Sequence, residues 1–192
     1  MLGKIFLTVC FMLLGLVSNQ ASATLINLNT FTPDPAVSIS PDGSSATFVE
    51  DPVFTPVALI NYNLALPADA LTLSFDYVLT VPLNNEDYFD FYFLDLSAPK
   101  FSVGGYADPT QSSDPLLFSG TYQLDVRDFA GSSVGVIFDL LSWDWDLDSV
   151  VTISNLQLTE KANVPEPGSL ALLGIGLVGL LGIQKRRFQQ QQ

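Results

Sequence analysis

Histidine is absent from all 192 residues, and cysteine occurs once, at Cys10. Without histidine the chain lacks the commonest metal ligand and the commonest general base, and a Ser-His-Asp constellation is excluded. Cys10 lies within an apolar run that continues from Phe11 to Val17, which argues against a lipoprotein acylation site. A domain that follows this run holds no thiol and forms no disulfide, so its stability rests on its core. Positive charge is also scarce, with 7 basic residues against 20 acidic ones and a net charge of −13. Four of the bases stand at the ends, Lys4 on one side and Lys185, Arg186 and Arg187 on the other. Residues 24–164 keep Lys100, Arg127 and Lys161 against 19 carboxylates, a net of −16. Such a surface repels phosphate backbones and excludes nucleic acid as the expected partner. It suits cations, cationic segments or neutral polymers, or it serves only to keep an exported domain soluble. A phosphate-cradling loop is missing too, because Val103-Gly104-Gly105-Tyr106 has neither the spacing nor the lysine of a nucleotide site.

What is present begins with an export leader. Residues 1–23 carry Lys4, an apolar stretch from Ile5 to Val17 and the small residues Ala21-Ser22-Ala23, the three parts of a signal peptide, with cleavage expected after Ala23. The apolar stretch is only about 13 residues, against the ~20 of a spanning helix. At the other end, Pro165 and Pro167 remove backbone donors and hold the chain extended, so no helix runs through from the domain. A new helix is expected over 169–183, with Ser169 as N-cap and only apolar residues or glycine from Leu170 to Ile183. Counted from Gly168 its length of roughly 24 Å is short of the ~30 Å hydrocarbon layer, a marginal transmembrane span. Lys185, Arg186 and Arg187 then favour a cytoplasmic C-terminus and an ectodomain outside the membrane. The expected organisation is a leader over 1–23, an ectodomain over 24–163 and a terminal unit over 164–192, comprising a motif (164–168), a helix (169–183) and a basic tail (184–192).

Val164-Pro165-Glu166-Pro167-Gly168-Ser169, the short Leu/Gly helix and Lys185-Arg186-Arg187 together resemble the PEP-CTERM sorting signal of Gram-negative bacteria. The resemblance implies recognition by an exosortase, a transpeptidase-like membrane protease. Pro165, Glu166 and Pro167 would be the recognised residues, the helix a membrane-anchored intermediate, and Lys185, Arg186 and Arg187 its cytoplasmic stop. Removal of the helix would deliver the protein to the cell surface or an exopolysaccharide matrix. These are residues of a substrate, and no catalytic residue is implied.

The ectodomain reads as short strands. Leu71, Leu73, Phe75, Tyr77, Leu79 and Val81 alternate with polar residues, broken only by Val78, which is the period of a half-buried strand. Val37 to Ile39 and Ala46 to Val49 flank Pro41-Asp42-Gly43-Ser44, a hairpin turn in composition. Further strands are expected near 25–31, 57–64, 87–96, 116–126, 133–142 and 149–159. No helix-period stretch competes before Pro165. The fold expected is an all-β antiparallel β-sandwich, jelly-roll-like. The stretch from Leu124 through Leu158 is loosely similar to the closing strands of jelly-roll modules in exported bacterial proteins, many of which bind carbohydrate; Ser154 stands where such modules commonly carry an aspartate before Asn155.

Three stretches carry candidate chemistry. Within 87–96, Phe89, Phe91 and Phe93 share one face, and Tyr88, Tyr92, Leu94 and Leu96 the other. One face is core; the other is either a platform for sugar rings or a second buried face. In the last strand Val151 and Ile153 are out of phase with Leu156 and Leu158. Either a bulge at Ser154 or Asn155 brings all four inward, or the strand starts inward at Val150. Asp144, Asp146 and Asp148, alternating with Trp143, Trp145 and Leu147, are either calcium ligands or a solvated acidic loop over a tryptophan pair. An EF-hand is excluded, because Ser149 replaces its turn glycine and Asn155 its bidentate glutamate. Glu86 with Asp87 or Asp90 has the composition of a glycosidase pair, but nothing selects it among 19 carboxylates. The reading favoured is a non-enzymatic structural or binding module, with a lectin or carbohydrate-active enzyme on the same fold as its rival.

Overall fold

A computed structural model describes residues 22–51, 56–94, 97–142 and 149–161. These form eleven strands in two antiparallel sheets: β1 (Ser22–Leu25), β2 (Thr32–Pro33), β3 (Val37–Ile39), β4 (Ser45–Val49), β5 (Val57–Ala65), β6 (Ala70–Val81), β7 (Glu86–Phe93), β8 (Phe101–Tyr106), β9 (Leu116–Asp125), β10 (Ser133–Ser142) and β11 (Val150–Glu160). The first sheet runs β3-β4-β11-β6-β9, with β1 also paired to β11, and the second runs β2-β5-β10-β7-β8. Among these strands only β3–β4 and β7–β8 are sequence neighbours within one sheet; elsewhere successive strands alternate between sheets, as in a jelly roll. The expected β-sandwich is what the chain forms.

The core lies between the sheets because the alternating apolar residues of both face inward. Leu73, Phe75, Leu79 and Val81 of β6 are buried, while the exception Val78 faces out at 45% exposure. The compact unit spans Ala21–Lys161. All eleven strands and the core cluster fall within it, about 140 residues, a size at which one core sustains an independent domain.

Two local alternatives are resolved by the register. In β11 the pairing against β6 slips between Ser154 and Gln157, and Asn155 takes φ 52°. Val151, Ile153, Leu156 and Leu158 are consequently all buried, the bulged alternative. Asn155 tolerates this left-handed backbone, and its Nδ2 donates to Asp76 Oδ2 on β6 at 2.7 Å. Along its other edge β11 pairs with β4 through Val150–Ser154 and with β1 through Gln157–Glu160, so the bulge falls between two partners. The β3–β4 turn also forms: Gly43 adopts φ 71°, and Asp42 Oδ1 accepts from Ser44 N at 3.1 Å and Ser40 Oγ at 2.7 Å. These bonds hold the Asp42 carboxyl down at about 2. A Cβ at Gly43 would lie 1.9 Å from Asn27 Oδ1, so the position needs glycine twice over.

The strand expected over 25–31 is replaced. β1 ends at Leu25, and Leu28–Thr30 form a 3₁₀ turn capped by Asn27, whose Oδ1 accepts from Asn29 N at 2.8 Å. Asparagine bonding to the backbone two residues on competes with the ladder and ends the strand.

Candidate functional site

The outer face of the second sheet gathers aromatic and acid side chains that are separated in sequence. β7 alternates strictly, with Phe89, Phe91 and Phe93 in the core and Tyr88, Asp90 and Tyr92 facing away from it. β10 lies antiparallel beside it, with Asp139 opposite Asp90, Ile137 opposite Tyr92 and Leu141 opposite Tyr88. β8 adds Ser102 beyond Asp90 and Gly104 beyond Tyr88. The two tyrosines, four residues apart on one strand, therefore stand roughly 13 Å apart. The carboxylate pair lies between them.

Glycine at 104 has a local reason. Its φ is 145°, and an added Cβ would sit 2.0 Å from the Asp87 carbonyl oxygen, so only glycine lets β8 close against β7 here.

The electrostatics of this face are unusual for a sheet exterior. Asp90 and Asp139 are only 8% and 7% exposed, and Oδ1 of each has no hydrogen-bond partner among the described residues. Burial first, and then the Asp90 charge, push the Asp139 carboxyl up to about 7. Tyr92 donates its hydroxyl to Asp90 Oδ2 at 3.3 Å. Burial, followed by the charges of Asp139 and Asp90, pushes Tyr92 up to about 12 and keeps it a donor. Tyr88 bonds Glu86 Oε1 at 3.4 Å. Both tyrosines remain partly exposed. The face thus combines two partly exposed aromatic rings with a carboxyl pair beneath them whose Oδ1 atoms are buried and lack donors among the described residues.

The glycosidase pairs do not assemble. Asp87 points into the sandwich and is fully buried, while Glu86 is exposed on the opposite face. Glu86 and Asp90 share a face but stand roughly 13 Å apart along the strand, beyond the ~5–9.5 Å of glycoside hydrolysis. Asp90 and Asp139 are direct cross-strand neighbours on a single surface, with no space between them for a sugar ring.

Other expected site residues fall elsewhere. Ala23 is in β1, opposite Thr159, so cleavage after it would remove half of that strand. Ala21, Trp143, Trp145, the candidate calcium ligands Asp144, Asp146 and Asp148, the motif Pro165, Glu166 and Pro167, the terminal helix and the basic stop Lys185, Arg186 and Arg187 lie outside the described residues. Among the described residues no helix is long and apolar enough to cross a membrane, and no three His, Cys, Asp or Glu side chains converge as metal ligands. Asp139 is a site residue that sequence reasoning misses. Its one signal is a lone acid in the apolar run Val134–Leu141.

Comparison with known proteins bears on both ends of this description. Residues 163–187 match the PEP-CTERM protein-sorting motif, so the sorting signal read from the sequence is present. No curated protein matches the chain. Among solved structures the sandwich is similar to Caldicellulosiruptor saccharolyticus CBM27-1 in complex with mannohexaose, at 7% identity and TM-score 0.44 over 72% of this chain and 97% of that one. It is also similar to the C-terminal CBM6 of the laminarinase LamC from Zobellia galactanivorans, at 10% identity and TM-score 0.34 over 69% and 99%. A third is the K1 cleaved adhesin domain of Lys-gingipain from Porphyromonas gingivalis, at 12% identity and TM-score 0.39 over 74% and 99%. At these scores the likenesses say nothing about ligand or activity.

Proposed function

We propose that this chain is an exported surface or matrix protein of a Gram-negative bacterium whose sandwich binds a neutral polysaccharide without cleaving it. Delivery rests on the sorting motif at 163–187. After the leader is removed by cleavage behind Ala23 in the Ala21-Ser22-Ala23 run, the terminal helix holds the protein in the inner membrane with Lys185, Arg186 and Arg187 inside. An exosortase-type enzyme then recognises Pro165, Glu166 and Pro167 and releases the ectodomain to the surface or the exopolysaccharide. Replacing these three residues by alanine leaves the precursor at its full mass in the membrane fraction, read by mass spectrometry after fractionation. Processing at the wild-type mass and location would refute this route.

The observation that carries the binding reading is the Tyr88-Asp90-Tyr92 row beside Asp139. Tyrosine rings stack on the apolar faces of sugars, and both rings are partly exposed on this face. The net of −16 over residues 24–164 disfavours an anionic polymer. Fragment 22–161, run in affinity gels containing neutral or anionic exopolysaccharides, is retarded by the neutral ones. Tyr88→Ala and Tyr92→Ala each weaken retardation about tenfold, with melting temperature nearly unchanged. Undiminished retardation in both variants would remove this face from consideration.

A further inference from the structure

One end of the core is closed by polar side chains from both sheets. Glu50 directly follows β4 and Ser149 directly precedes β11, each continuing the inward phase set by Phe48 and Val151. Across from them, Asp87 of β7 and Ser142 of β10 are register partners in the second sheet and continue the inward phases of Phe89 and Leu140. Ser149 ties the group together, since its N–H donates to Glu50 Oε2 at 2.8 Å and its hydroxyl to Asp87 Oδ2 at 2.6 Å. Glu50 is 7% exposed, and Asp87 and Ser149 are fully buried.

This arrangement brings two carboxylates into the interior with no basic side chain among the described residues to balance them. Lys100, Arg127 and Lys161 are all exposed, and Arg127 is paired with Asp125. Two buried oxygens of the cluster, Glu50 Oε1 and Ser142 Oγ, have no hydrogen-bond partner among the described residues. Buried acids are tolerated when they share a proton or hold a cation. A proton bridges one pair of oxygens, whereas a cation accepts several at once.

We propose that Glu50, Asp87, Ser142 and Ser149 form a buried site for a divalent, oxygen-preferring cation of the calcium class, which clamps the two sheets at this end. The donor set is oxygen alone, carboxylate and hydroxyl, and calcium takes six to eight such ligands, water included, in flexible geometry. Softer metals are disfavoured because neither imidazole nor thiolate is available. The clamp also does what a disulfide would do in a sandwich that holds no cysteine. Burial pushes Glu50 up to about 7; the Ser149 N–H opposes this, and Asp87 adds to it.

The site is tested apart from the acidic stretch 144–148. Fragment 22–161 is stripped with EDTA and melted against calcium chloride, with isothermal titration to count sites. At a hundredfold excess over Kd the wild-type melting temperature rises by about 5–10 °C. Glu50→Gln, which keeps shape and removes charge, abolishes the rise, and Ser142→Ala reduces it. A triple variant Asp144→Asn, Asp146→Asn, Asp148→Asn keeps the rise. A wild type unmoved by calcium but stabilised from pH 7 to pH 5 would show that a shared proton occupies the site and overturn the proposal. So would a full calcium response in Glu50→Gln.

Discussion

Replacing Phe75 with alanine lowers the stability of fragment 22–161 by about 3–5 kcal/mol and its melting temperature by roughly 10–20 °C. Phe75 projects from β6 into the centre of the sandwich at 1% exposure. Its ring lies 5.0 Å from Phe138, 5.1 Å from Phe91 and 5.6 Å from Tyr122, with Phe89 and Phe101 each 6.2 Å away. Four of these five partners belong to the opposite sheet, so the side chain is a principal contact between the two layers. Truncation leaves a cavity that rigid strands on both sides close poorly. Val78→Ala, three residues on and facing out, changes stability by less than about 0.5 kcal/mol. Denaturant unfolding of both variants is the measurement. Equal losses at the two positions would contradict the face assignment of β6.

The stability of the same fragment in EDTA falls as pH rises from about 4 to 7, and Asp139→Asn removes roughly half of that fall. A carboxyl raised from 3.8 to about 7 in the folded state binds a proton that the unfolded chain has released. Its contribution is therefore fully present below the unfolded value and is lost as pH passes the folded one. Glu50, raised from 4.5 to about 7, acts with the same sign over a similar window. With both acids the slope near pH 5.5 approaches two protons, about 2.7 kcal/mol per pH unit; with Asp139 replaced it approaches one. Asparagine also offers an amide donor to Asp90, so at pH 7.5 the variant is the more stable protein, by about 2 kcal/mol. Urea titrations across pH 4–8 test this. An unchanged slope in Asp139→Asn would mean that Asp139 is charged in the native protein.

Much of the strand pattern is legible in the sequence because burial leaves a mark of period two. β6, β7, β10 and β11 show it directly, and the phase change after Ile153 marks the place of the bulge. Two strands are illegible for opposite reasons. β2 has only Thr32 and Pro33, too short for a period, while β8 hides behind Gly104 and Gly105, which read as loop until the close approach to Asp87 explains the first of them. The strand expected at 25–31 does not form because an asparagine side chain bonds the backbone locally, a competition that hydrophobic patterning does not register.

The candidate site is less visible. Tyr88 and Tyr92 read as one face of a strand, but Asp139, 49 positions from Asp90, joins them only through the β10–β7 register. Glu50 and Asp87 meet through Ser149 across sequence separations of 99 and 62 residues. The sequence alone determined that the chain carries a sorting signal, because such a signal is a linear segment. It also determined an all-β core without disulfides, because the alternation of side chains is a local property of the chain. Tertiary structure decided which acids lie together, which oxygens are left without donors and which aromatic face remains open. Those depend on how strands distant in sequence are ordered and aligned, and no local pattern encodes that alignment.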